Sequence, residues 1–450
     1  MTKSRHFAAG IFCGGVAAIG ICLAAAVLII AQSSAGRARP SVADLALIGG
    51  VIELVEGRYV HPVGPEELTT DALKGMLSRL DPHSDYMDET EFKETQADIN
   101  GKFGGLGIQI STQDGLPKVI SPIDDTPASR AGLAPGDLIV SINGDSTHGL
   151  DLSKIVRILR GEPGTTVKLT ISRAGKAPFD VTLTRSIIQV PSVKSKLQPN
   201  AIGYVRVTEF GTDTPRDFVQ AIDALKRDAG GKLQGLVLDL RNDPGGLLAA
   251  AISISGSFLD GGPVVSVRGR VHNEDQTYSA PRAGDLLPGV PIVVLINGAS
   301  ASASEIVAGA LQDRHRATVM GTQTFGKGSV QSVIPIRGHG ALRLTTALYY
   351  TPAGRSIQGE GIAPDTVVEA PKEQQVADAL LLHENELHGA FSNPGSLGQS
   401  QKKGGAPKPE GAAVHSPPIK AELIGTPDDA QLKAALSHLA QTMGSNERRR

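Results

Sequence analysis

Tryptophan is absent from this 450-residue chain and aromatic residues make up only 4% of it, so the ring platforms on which nucleic-acid bases stack are scarce. The formal charge of -2 supplies no basic stripe to follow phosphates, and nucleic acid is not an expected partner. Cysteine is nearly absent too. Cys13 and Cys22 both lie near the N-terminus, so the rest of the chain can hold neither a disulfide nor a thiolate metal site. Each follows a bulky residue, Phe12 or Ile21, where lipoprotein processing wants a small one, so lipidation is not expected. No phosphate-binding loop or ligand cluster is legible, and no metal or other cofactor is expected.

What the N-terminus does have is Lys3, Arg5 and His6 ahead of an uncharged stretch, residues 7–31. A signal-peptide core normally runs about 7 to 15 apolar residues, whereas about 18 or more can span a bilayer. The stretch therefore reads as an anchor to the inner membrane, within a signal region 1–35. Ser33 and Ala35 are small and correctly spaced for a processing site, so cleavage is the alternative. Positive charge on the amino side places the bulk of the chain in the periplasm or otherwise outside the cytoplasm. With 450 residues, 40% of them apolar, two or three domains are expected.

Residues 41–99 read as a helical N-terminal region. "VADLALIGGVIELVEGRYV" and "TTDALKGMLSRL" carry apolar residues at three- and four-residue spacing, the pattern of a packing or dimer element. The turn "LDPHSDYM" holds His83 and two acids but shows no catalytic pattern. From 100 to 187 short alternating strands with glycine turns surround one helix, "DLSKIVRILRG". That order, with "ASRAGLAPGDLIVSINGDS" at its centre, resembles a PDZ domain. Its carboxylate-binding loop corresponds to "FGGLGIQI", so Gly105, Leu106, Gly107 and Ile108 are expected to clasp a chain terminus through backbone N–H groups.

From 188 to 375, buried strands alternate with helices, which implies an α/β layer fold with mostly parallel strands and a site at the strand-to-helix loops. Beyond it, "QQVADALLLHENEL" reads as helical. Residues 392–420 are too rich in Gly, Pro, Ser and Lys to bury anything and read as a disordered linker. A last helix is expected over 426–443, started by Thr426 and Pro427 with Asp428 and Asp429 in its first turn.

Two loops of the α/β block are unusual, "RNDPGG" and "NGASASAS". In the second, the turn between "VPIVVLI" and "SEIVAGALQD" holds Ser300, Ser302 and Ser304. Ser302 stands three residues before Glu305, so its hydroxyl could simply cap the helix, and on the octapeptide alone a cap and a nucleophile are both open. A serine nucleophile needs a base. The eleven histidines sit in unremarkable settings, whereas Lys327 lies between two glycines in "TFGKGSVQ". As a base its pKa must fall well below the usual lysine range, at a cost of roughly 3 to 5 kcal/mol that burial can supply. Gln331, four residues on, would in an extended strand point to the same side and orient the amine without adding charge. An oxyanion hole is expected from the N–H of Gly245 or Gly246, in the Pro-Gly-Gly turn of "LVLDLRNDPGGLL", with that of Ala303 as second donor.

Together these motifs, with "YVRVTEF", "RATVMGTQTFGKGSVQ" and "LRLTTALYYTPAGRSIQGEGIAPD", resemble the carboxyl-terminal processing peptidases, also called tail-specific proteases. The resemblance implies a crotonase-like α/β serine protease core with an inserted PDZ domain. It implies Ser302 as nucleophile, Lys327 as general base and Gln331 holding the lysine. Its expected partners are protein or peptide substrates with apolar C-termini, with room for a homo-oligomer and for an adaptor protein. It also places Arg160, in "LRGEPG", between the PDZ domain and the catalytic centre. The competing readings are a non-catalytic, membrane-anchored PDZ scaffold and a crotonase-like acyl-CoA enzyme.

Overall fold

A computed structural model describes residues 41–99, 101–123, 125–270, 275–282, 284–376, 383–394 and 418–447. The expected anchor over 7–31, with Cys13 and Cys22, and most of the expected linker, 395–417, lie outside the described residues. The chain forms two compact units, Met1–Ala72 and Leu73–Arg450. In the first, the helix Val42–Arg58 is opened by a capping box in which Ser41 and Asp44 exchange bonds of 2.9 and 3.1 Å. None of its residues is buried, and Leu45, Leu47, Ile48, Val51 and Leu54 are exposed.

In the second unit the PDZ region is a five-strand antiparallel path, Ile108–Gln113, Leu116–Pro122, Leu138–Ile142, Thr166–Ser172 and Phe179–Thr184, with the helix Leu152–Leu159. The strand Thr166–Ser172 shows why the alternation was legible: Val167, Leu169 and Ile171 are buried while their neighbours face outward. Lys102–Gly105 pairs antiparallel with Ser186–Gln189. That ribbon ties the first and last strands of the insert together.

The core sheet runs Val193–Gln198, Ile202–Val207, Gly235–Asp239, Ile292–Ile296, Thr318–Gly321 and Thr366–Val367, parallel throughout except for its first strand. "GLVLD" and "IVVLI" are buried at every position, as a sheet covered on both faces requires. Leu236, Leu238, Val294 and Ile296 pack on one face against Phe218, Ile254 and Ile306 from three helices. The alternate residues Val237, Val293 and Leu295 meet Leu432, Ala435 and Leu439 of the C-terminal helix on the other. Each such leucine contributes roughly 1.5 to 3 kcal/mol through burial. A second sheet carries Asp85–Met87, Ala341–Tyr350, Pro263–Gly269 and Gln276–Ser279, with Ser329–Pro335 also paired to Ala341–Tyr350.

Two expectations are corrected. The last helix is Ala430–Glu447, and it is capped by Asp429, whose carboxylate accepts the Leu432 N–H at 3.0 Å, rather than started by Thr426 and Pro427. Of "QQVADALLLHENEL", residues 377–382 lie outside the described residues; its last part holds the 3-10 turn Glu384–Glu386, with Glu384 buried. The end of the expected linker is ordered: Ile419 is buried against Ala370 and Ile424, and it bridges to Gln375.

Candidate active site

Three adjacent parallel strands, Gly235–Asp239, Ile292–Ile296 and Thr318–Gly321, end at the same edge of the core sheet. The loops that follow them therefore emerge side by side. They are the glycine turn with Gly245 and Gly246, the serine turn, and the lysine loop. Ala301 donates its N–H to the Asp243 carbonyl at 3.0 Å, and Phe325 donates to the Ser300 carbonyl at 3.0 Å, so all three loops are stitched together.

The structure separates the three serines. Ser300 is fully buried, donating to the Leu240 carbonyl at 2.7 Å while accepting the Asn297 N–H at 3.0 Å. Ser304 is fully buried and donates to the Asp243 carbonyl at 3.0 Å. Only Ser302 is part-exposed. Its backbone lies at φ 54°, ψ -109°, a region that costs a non-glycine residue of order 1 to 3 kcal/mol and persists only where surroundings enforce it. Of the capping box expected with Glu305, the arm that forms is the Ser302 N–H donating to the Glu305 carboxylate at 2.7 Å, while the Ser302 side chain makes no capping hydrogen bond.

Glu305, which the sequence showed only as a cap, is the hub of the site. Its Oε2 also accepts the Lys327 N–H at 2.9 Å, while Oε1 accepts the Gly326 N–H at 2.7 Å and the Thr324 hydroxyl at 2.5 Å. One buried carboxylate thus holds the serine and lysine loops at once. Burial pushes its pKa up to about 7 against the pull of those four donors. Glu305→Gln should lower kcat/KM about 100-fold by misplacing both loops, and cost about 1 to 3 kcal/mol, because an amide turns a donor toward donors. Steady-state kinetics with thermal melting checks this, and wild-type turnover would remove Glu305 from the site.

Lys327 is part-buried, and burial lowers its pKa from the usual lysine value. Glu384 opposes that shift, Arg343 reinforces it and Glu305 opposes it. The expected bond from Gln331 is not formed. The strand Ser329–Pro335 begins after the lysine and is bulged between Val330 and Gln331, so period-two counting does not connect 327 with 331. The Gln331 amide donates instead to the Ser329 hydroxyl at 2.9 Å and to Thr345 Oγ1 at 3.3 Å. Among the described residues no hydrogen bond joins Lys327 to Ser302.

Gly245 lies against Ser302: at its φ of 103° a Cβ would come within 2.9 Å of both Ser302 Cβ and the Ala303 nitrogen, so only glycine fits. Its N–H is not free, however, since it donates to Asp243 Oδ1 at 2.8 Å. That narrows the expected oxyanion donors to Gly246 and Ala303, whose N–H groups have no acceptor among the described residues. Asp243 itself is fully buried, and burial pushes its carboxyl well above the usual carboxylate range.

The "LDPHSDYM" turn, which shows no catalytic pattern in the sequence, is bonded to the strand Ala341–Tyr350. Asp81 accepts from Thr345 Oγ1 at 3.0 Å, and Ser84 Oγ accepts the Thr345 N–H at 3.0 Å, behind the residue that receives Gln331. A cavity of about 490 Å³ opens beside Thr345, lined also by Arg268, Arg270, Asp275, Tyr350 and Phe391.

In the PDZ region, Gly105, Leu106, Gly107 and Ile108 line a groove of about 120 Å³ with Val156 and Leu159. The strand Ile108–Gln113 ends its sheet path, so its outer edge is open to an added strand. Gly107 has φ 76° and a Cβ there would strike Thr126 at 2.3 Å, which makes glycine obligatory in the loop. Arg160 stands at this groove, its guanidinium 4.4 Å from the Phe103 ring centroid.

Residues 201–368 match the description "Peptidase family S41", residues 118–173 "PDZ domain", and residues 26–91 "Activating protease CtpB N-terminal domain". The chain is 48% identical over 374 residues to the "Carboxy-terminal-processing protease" of Bartonella bacilliformis, spanning 82% of this chain and 86% of that protein. This chain belongs to peptidase family S41. The S41 chain is also 35% identical over 320 residues to the "Carboxy-terminal processing protease CtpA" of Bacillus subtilis, 71% of its own length and 68% of that protein's. A solved "Photosystem II D1 C-terminal processing protease" is 27% identical, with 72% and 92% of the two chains covered and a TM-score of 0.45. The S41 chain is a peptidase with a PDZ domain, as its motifs implied, and family membership sets aside the acyl-CoA reading.

Proposed function

We propose that the S41 chain is an exported serine endopeptidase that recognises the C-terminal tail of a protein in its PDZ groove and cuts that protein by a Ser-Lys mechanism. Uncharged Lys327 takes the Ser302 proton as Oγ bonds to the scissile carbonyl carbon. The Gly246 and Ala303 N–H groups receive the developing oxyanion. Collapse breaks the C–N bond, with the ammonium proton passing to the leaving amine, and water then releases the acyl group along the same path. Gln331 donates to Ser329 and Thr345, so no role in holding the base is assigned to it. The observation that carries this reading is that the fold consumes the Ser300 and Ser304 hydroxyls and leaves Ser302 part-exposed, on forced backbone, laced through Glu305 to a lysine whose charged form burial disfavours.

Catalytic hydrogen bonds often tighten only in the substrate complex, so a Ser302–Lys327 bond formed on tail binding is consistent with the resting geometry. Export and anchoring rest on residues 7–31. Among the described residues no helix is long and apolar enough to cross a membrane. The apolar row of Val42–Arg58 supports a contact between copies of the chain.

The test is one unfolded substrate ending in apolar residues, compared with the same substrate lacking its last few residues. Tethering through the groove should raise kcat/KM about 100-fold for the intact tail. Equal rates would end the tail-recognition reading, and tight binding without cleavage would favour the scaffold.

A further inference from the structure

Glu384 lies outside the matched family region, in the 3-10 turn Glu384–Glu386, and is completely buried. A buried carboxylate needs a reason and partners. His83 Nε2 meets its two oxygens at 2.9 and 2.8 Å, and Gln358 Nε2 donates to Oε1 at 2.9 Å. The same Gln358 accepts the Gly328 N–H on its own Oε1 at 3.1 Å. The Glu384 N–H donates to the Phe325 carbonyl at 3.2 Å, and the Phe325 ring stacks on His383 with centroids 6.3 Å apart. Both flanks of Lys327, Phe325 before it and Gly328 after it, are therefore fastened to one acid. On the other side the Gly326 and Lys327 N–H groups are fastened to Glu305.

We propose that Glu384, gripped by His83 and Gln358, is a positioning residue that acts on the reaction through Lys327, so that the "LDPHS" turn and the segment after the family core together hold the base loop in place. This rests on the Ser-Lys reading above. The clamp has two separable effects. One is geometric, since the loop can shift only if the Glu384 bonds break. The other is electrostatic: the charged groups facing Lys327 are Glu384, Arg343 and Glu305, and Arg343 is itself 3.5 Å from Asp85. Of the three, Glu384 acts most strongly, and its charge helps keep the proton on the amine.

The experiment compares full-length wild type, Glu384→Gln, Glu384→Asp, His83→Asn, Ser302→Ala and Lys327→Ala on one peptide, with kcat and KM measured across pH and melting for each variant. Wild-type kcat/KM should rise with pH as Lys327 loses its proton. Glu384→Gln removes a negative charge while keeping the shape, so the rise should move to lower pH. Glu384→Asp keeps the charge and withdraws it by one methylene, so the rise should stay while kcat falls roughly 10- to 100-fold at similar KM. His83→Asn should lower kcat likewise, and it decides the matter if Glu384→Gln does not fold. A Glu384→Gln profile superimposed on wild type, or wild-type kcat in His83→Asn, overturns the clamp provided that Ser302→Ala and Lys327→Ala are inactive. Activity in either of those two variants would instead overturn the Ser-Lys reading.

Discussion

Ser302→Ala is expected to cut the turnover of an unfolded substrate by at least about 10⁴-fold while leaving melting temperature and tail binding unchanged. Alanine at φ 54° is as strained as serine, so the substitution neither relieves nor adds backbone energy. The carboxylate of Glu305 binds the N–H of residue 302, which alanine retains. What disappears is the one hydroxyl of the three that the fold does not consume. The neighbours supply the contrast. Ser300→Ala removes a hydroxyl that both accepts and donates inside the core, and Ser304→Ala leaves the Asp243 carbonyl short of a donor. Each should cost about 1 to 3 kcal/mol of stability. Progress curves by mass spectrometry, with circular dichroism melting of the three proteins, read both axes. If Ser302→Ala retained more than about a hundredth of wild-type turnover, the nucleophile assignment would be lost.

The same residues show how far a sequence carries. Ser302 was legible because a buried strand, a turn of small residues and an amphipathic helix are local patterns. Lys327 was legible because two glycines frame it. The PDZ strands were legible through period-two burial, as in Thr166–Ser172. Gln331 failed locally: one bulge at Val330 breaks the period that the argument relied on. Gly245 failed for a subtler reason, since the adjacent Asp243 takes its N–H and the sequence cannot say which glycine is left free. Asp81, His83 and Ser84 meet Thr345 and Glu384 across most of the chain, and such contacts leave no periodicity. Glu305 announced itself as a cap, yet the three donors it takes from the lysine loop depend on how neighbouring strands end.

The C-terminal helix sets the second large expectation, because it is held by a charge and not by its apolar face alone. Arg241 follows the core strand Gly235–Asp239 and is completely buried, as are Asp239 and Asp429. Its guanidinium makes two forked pairs: Nε and Nη2 donate to Asp239 at 2.9 and 2.5 Å, and Nη1 and Nη2 donate to Asp429 at 2.9 and 2.6 Å. Gln431 accepts from Nη1 at 2.9 Å, and Tyr204 donates to Asp239 at 2.9 Å, so every member is satisfied. Asp429→Ala leaves a buried guanidinium half-paired and removes the cap on Leu432, which together should cost about 3 to 5 kcal/mol. The helix would then loosen from Tyr204, Val237 and Val293.

Burial alone would raise the Asp429 carboxyl, but the bonds from Arg241 hold it below the usual carboxylate range. A depressed acid stabilises the fold above its unfolded pKa and loses that contribution as pH falls through the folded value. The wild-type advantage over Asp429→Ala should accordingly be full near neutrality and shrink on acidification below the ordinary aspartate range. Urea unfolding at several pH values checks this, followed by circular dichroism because the chain has no tryptophan. A difference under about 1 kcal/mol at neutral pH would mean that the apolar face of Leu432, Ala435 and Leu439 suffices to seat the helix, and that the buried arginine is neutral to stability, as fully paired buried charges can be.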